Sequence, residues 1–137
     1  MVHALTKVRP WLCSDGCILV IHDLIDPPRV EVHKKDHQLF AGQMLSDNSF
    51  ENQLKADQAI DTVIQEGSYL LGQSRIFENY IRADSYDSMF IYVAESWESA
   101  YITDGTRQKV HELVDMLGKD SQVVLHLVSR MVKLEIP

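Results

Sequence analysis

Residues 75–97 read RIFENYIRADSYDSMFIYVAESW, and the way this stretch folds decides the architecture. Two apolar runs flank the polar pentapeptide Ala83-Asp84-Ser85-Tyr86-Asp87, the pattern of a hairpin closed by a five-residue loop. In that register Ile81 faces Met89, Asn79 faces Ile91 and Phe77 faces Val93 on one surface. Ile76 against Ala94, Glu78 against Tyr92 and Tyr80 against Phe90 share the other, because side chains alternate along a strand. One surface is then mostly aliphatic, and the other is aromatic with a carboxylate.

Working outward, the segment before this hairpin predicts a helix. Asn48 with Glu51 three residues on is a capping-box variant, Ala56, Ala59, Ile60, Val63 and Ile64 share one side, and Gly67 fits just past the end. Phe50 and Leu54 fall off that side. The segment after the hairpin predicts a second helix, with Thr106 available as its cap. Val110, Leu113, Val114 and Leu117 form its apolar stripe and Gly118 lies beyond it.

The tail QVVLHLVSRMVKLEIP reads as one long or bulged strand, since Ser129-Arg130 is a poor two-residue turn. Nearer the start, the run CILVIHDLID from Cys17 predicts a strand buried on both faces, stopped by Pro27 and Pro28. Val30 and Val32 alternate with Glu31 and His33, and pairing His33 with Gln38 sets Val32 against Leu39 and Val30 against Ala41. Met1 to Leu12 reads as an irregular lead-in packed by Trp11.

The expected fold is therefore a single α+β domain over residues 1–137. It has a mostly antiparallel sheet of about six or seven strands, with two helices on one face. From Leu39 onward it contains the βαββαβ run of ferredoxin-like sheets. With no helix left for the second face, that face is open to solvent, to a ligand or to a second copy, so a homodimer is expected.

Thirteen basic against twenty acidic residues give a net charge of −7, which disfavours nucleic acid and anionic membranes as partners. The start lacks the pattern of a signal peptide, no apolar run approaches a membrane span, and a cytoplasmic location is expected. Cys13 and Cys17, four apart, fit neither redox nor zinc spacing and read as small, partly buried thiols. The six glycines form no phosphate loop or nucleophile elbow, so no cofactor is expected.

The histidines carry weaker signals. His111 and Asp115 sit one turn apart and read as a surface pair rather than metal ligands. His22 and Asp23 point to opposite faces of a strand, His33 and His37 border a polar turn, and His126 reads as a hydrogen-bonded core residue. No metal site is expected. The aromatic surface is the stronger lead, because ring faces beside carboxylates attract cations.

The reading is a non-enzymatic protein that binds a small organic molecule of apolar bulk, with room for a positive charge. Its pocket is lined by Glu78, Tyr80, Phe90, Tyr92 and Trp97. One alternative is a small enzyme with His22, Asp23 or Glu78 as proton-transfer groups. The other is an acidic inhibitor or immunity-type protein that masks a basic partner.

Overall fold

The expected central hairpin does not form. In the computed structural model, which describes residues 1–48 and 50–137, the chain runs as strand only to Ala83 and then enters a helix. In chain order the elements are α1 (Val2–Val8) with a 3-10 turn (Arg9–Trp11), β1 (Cys17–Asp23), β2 (Arg29–Lys34), β3 (His37–Ser46) and α2 (Glu51–Gln65). They continue as β4 (Leu70–Ala83), α3 (Tyr86–Ser96), β5 (Ala100–Ile102), α4 (Asp104–Leu117) and β6 (Gln122–Glu135).

A cap explains the correction. Ser85 is extended, and its Oγ accepts the Ser88 N–H at 3.1 Å. Asp87 in the first turn complements the helix dipole. Met89, Phe90 and Val93 then lie on one side and are buried, whereas Ile91 and Tyr92 point outward. Phe90 to Val93 reads as strand by composition, but the cap and the 3.6-residue period win. The pairs Glu78–Tyr92 and Tyr80–Phe90 do not exist.

Among the described residues the remaining architecture is the expected α+β, a six-stranded antiparallel sheet that stays open, with four helices where two were expected. Taking α3 as an insertion, β3, α2, β4, β5, α4 and β6 keep the βαββαβ order. β6 is one long strand that pairs with β1 from Ser129 to Glu135 and with β2 from Gln122 to His126; β4 also pairs with β6. β3 joins β2 to β5. The β2–β3 turn pairs His33 with Gln38 and Val32 with Leu39, as expected. A bulge after Val30 shifts its partner from Ala41 to Gly42.

The chain divides into two compact units. The first comprises Met1–Ile25, Glu51–Phe77 and Val128–Pro137. Its core is Leu5, Ile60, Val63, Tyr69, Val132 and Leu134. Tyr69 is fully buried and donates its hydroxyl to the Leu5 carbonyl at 2.8 Å, so the lead-in is anchored as a helix and is not irregular. Gly67, at φ +69°, ends α2 in the left-handed conformation expected of a glycine there. β1 is not buried on both faces: Ile18 and Val20 meet the core, while Leu19 and Ile21 are 58% and 61% exposed. Trp11 is exposed and packs nothing in, and both cysteines are free and exposed.

The second unit comprises Asp26–Phe50 and Glu78–Leu127. Val30 and Val32 of β2 and Val123, Leu125 and Leu127 of β6 meet Met89, Phe90 and Val93 of α3 and Val110 and Leu113 of α4. Phe50, off the α2 stripe in the sequence, belongs to this core. α4 lies so close to β3 that a Cβ on Gly42 would fall 2.3 Å from the Thr106 hydroxyl, which is why a glycine stands there. Among the described residues, no helix is long and apolar enough to cross a membrane.

Candidate functional site

Alternation along β2 builds the site. Val30 and Val32 enter the core, so Arg29, Glu31 and His33 project from the opposite face of the strand, away from α3 and α4. Across the pairing with β6, Gln122 and His126 stand on that same face. Glu31 is 4% exposed, an unusual position for a carboxylate. It is accommodated by three donors: His33 Nε2 lies 2.7 Å from its Oε2, while Arg29 Nε and His126 Nδ1 lie 3.2 and 3.3 Å from its Oε1. Burial pushes its pKa up, but the two imidazole hydrogen bonds and the Arg29 charge outweigh that and hold it below the ordinary value.

β4 supplies the next layer. The Tyr80 ring stacks on His126 with centroids 4.5 Å apart, and its hydroxyl donates to Glu78 Oε2 at 2.6 Å. That bond, followed by burial and the charges of Glu78 and Glu31, pushes the Tyr80 pKa up. Glu78 Oε1 is 3.7 Å from His126 Nε2, and the Arg82 guanidinium lies 5.1 Å from the Tyr80 ring centre.

Beside this network lies a cleft of about 450 Å³, with His33 in its wall. Lys34, Lys35, Arg82 and Lys119 line it, against two carboxylates, Asp84 and Asp120. Asp84 already accepts from Gln122 Nε2 at 3.1 Å, and Lys34 Nζ donates to the Leu117 carbonyl at the end of α4. None of the four cations makes an ion pair among the described residues.

Of the five residues expected to line one pocket, only Glu78 and Tyr80 meet. Phe90 is in the core of the second unit, Trp97 packs edge-on against Phe50, and Tyr92 borders a separate groove. The hairpin that was to unite them is the helix α3. Among the proton-transfer candidates, His22 lies 3.3 Å from Asp57 while Asp23 accepts from Ser129, on opposite faces of β1 as expected. His126 is hydrogen-bonded as expected but partly buried on the face of β6 opposite Leu125 and Leu127, not in the core, and His111 packs on Tyr86 with centroids 3.9 Å apart. No group of three or more His, Cys, Asp or Glu is arranged to hold a metal among the described residues.

Glu31 and the lysines were the residues missed. The alternation Val30-Glu31-Val32-His33 did signal that Glu31 and His33 share a face, whereas the turn sequence HKKDH resembled any solvated loop. No protein-family model, curated protein or solved structure matches this chain.

Proposed function

We propose that this protein binds a small organic molecule through an acidic group held in the cleft beside His33. One observation carries the reading: a chain of net charge −7 gathers around one concavity four cations that have no ion-pair partner among the described residues, against two carboxylates. Converging like charges are costly to hold together, and an anion relieves that cost while the cleft walls limit screening. The sequence suggested a ligand of apolar bulk, with room for a positive charge, in a pocket that included Glu78 and Tyr80. With the Arg82 guanidinium already over that ring, the cation's place is filled from within the chain.

Titrating the ¹⁵N-labelled protein with inorganic phosphate should shift the amides of Lys35, Lys119 and Gln122 saturably, and choline should not. Lys119→Ala should weaken phosphate binding severalfold. Saturable choline binding without phosphate binding would reverse the proposed sign of the ligand.

A second reading has one specific support. The 2.7 Å contact between Glu31 and His33 is an orienter–base arrangement at a cleft wall, the geometry from which a small acid–base enzyme works. With Nε2 engaged by Glu31, the Nδ1 atom is the ring nitrogen left for a substrate. The expected homodimer also stays a proposal, supported by the exposure of Leu19 and Ile21, with Met131 opposite Ile21. Sedimentation at micromolar concentration gives the mass that decides it.

A further inference from the structure

A second concavity of the same unit borders the cleft. It is a groove of about 360 Å³ lined by Ile81, Ala83, Met89 and Tyr92, and Arg82 and Asp84 line both spaces. The chemistry changes across those two shared residues. On one side stand lysines, a histidine, amides, Ser121 and Asp120; on the other stand two aliphatic side chains, a thioether, a ring and Ser88, whose hydroxyl is engaged by Ser85. Tyr92 keeps 37% of its surface exposed at the groove, and Ile81 and Ala83 are only half-buried against the core. Each space alone is at the small end of known ligand sites, which run from about 300 to 1,000 Å³.

We infer that the ligand is amphipathic: an acidic head in the cleft, with a short alkyl or aryl tail that passes Arg82 into the groove of Ile81, Met89 and Tyr92. This rests on the cleft being an anion site. The head supplies charge for Lys34, Lys35, Lys119 and Arg82, and the tail removes apolar surface of Ile81 and Tyr92 from water over the buried Met89. Gln122 Nε2 donates to Asp84 Oδ1 at 3.1 Å, so one oxygen of the carboxylate that lines both spaces is already satisfied.

Calorimetric titration of the full chain with methyl, n-butyl and n-hexyl phosphate tests it. Affinity should rise about threefold to fourfold per methylene until the groove is filled. Tyr92→Ser should flatten the series while leaving methyl phosphate unchanged. Leu19→Ser, on the exposed face of β1 in the other unit, should leave the series intact. With ¹³C-methyl methionine, butyl phosphate should move the Met89 signal and methyl phosphate should not, a readout that needs no substitution. Equal affinity for all three phosphates, or a rise that survives Tyr92→Ser, overturns the inference and leaves the anion site standing. Failure of every phosphate to bind overturns the anion site itself.

Discussion

The two units each join a histidine to a carboxylate, and the surroundings make them different objects. In the first, Asp57 of α2 takes Arg130 Nη1 at 2.6 Å and lies 3.3 Å from His22 Nε2, with its own side chain 32% exposed. An arginine neutralises the carboxylate, water reaches it, and the cluster ties α2 to the strands of its own unit. In the second, the Glu31 side chain is 5% exposed, held by His33, His126 and the outer guanidinium of Arg29. Here most of the partners are imidazoles, and one of them forms the wall of a cleft. Similar residue types thus make a brace in one place and a candidate site in the other; depth of burial and an adjoining cavity distinguish them.

The largest test of that contrast is stability. Glu31→Ala leaves two buried imidazoles without their acceptor and should cost about 2–3 kcal/mol in urea denaturation at pH 7. Asp57→Ala, at a wetter ion pair, should cost about 1 kcal/mol or less. Equal losses would mean that burial does not separate the two clusters.

The pH dependence sharpens it. Because the folded Glu31 pKa lies below its ordinary 4.5, its stabilisation is present in full above that value and is lost as pH falls through the lowered one. The stability gap between wild type and Glu31→Gln should therefore be widest near neutrality and close in acid, as pH falls through the lowered Glu31 pKa. A gap that persists unchanged into strong acid would assign the cost to packing.

Smaller effects follow in the outer layer. Tyr80→Ala removes the ring from His126 and should lower the urea midpoint, whereas Tyr80→Phe keeps the stack and should lower it less. Smallest of all on stability is Lys119→Ala, expected within about 0.5 kcal/mol of wild type. It should nonetheless lower affinity for phosphate, which separates a ligand group from a structural one. A stability loss as large as that of Tyr80→Ala would place Lys119 in the fold instead.

Much of this was legible in advance. The β2–β3 turn register followed from Val30 and Val32 alternating with polar neighbours. The face of α4 followed from Val110 and Leu113, the end of α2 from Gly67, and the unbroken β6 from the lack of a turn former at Ser129-Arg130. These features rest on local periodicity and backbone preference, which the chain carries wherever it goes. The shared face of Glu31 and His33 belongs with them.

Tertiary structure alone decided the rest. Tyr86 to Ser96 satisfies either period. The helix prevails because Ser85 caps it and because Met89, Phe90 and Val93 meet the apolar faces of α4 and of β2 and β6, the two strands lying far along the chain. Gathering Lys34, Arg82 and Lys119 around one cleft likewise depends on where β2, β4 and the turn before β6 end up. No spacing encodes that, because charged side chains near one another in space are scattered along the sequence and each, read singly, is a solvated surface residue. Local periodicity and backbone preference set the β2–β3 turn register, the face of α4, the end of α2 and the unbroken β6; packing set α3 and the exposed face of β1. Only long-range packing determined which polar residues those elements leave facing one another.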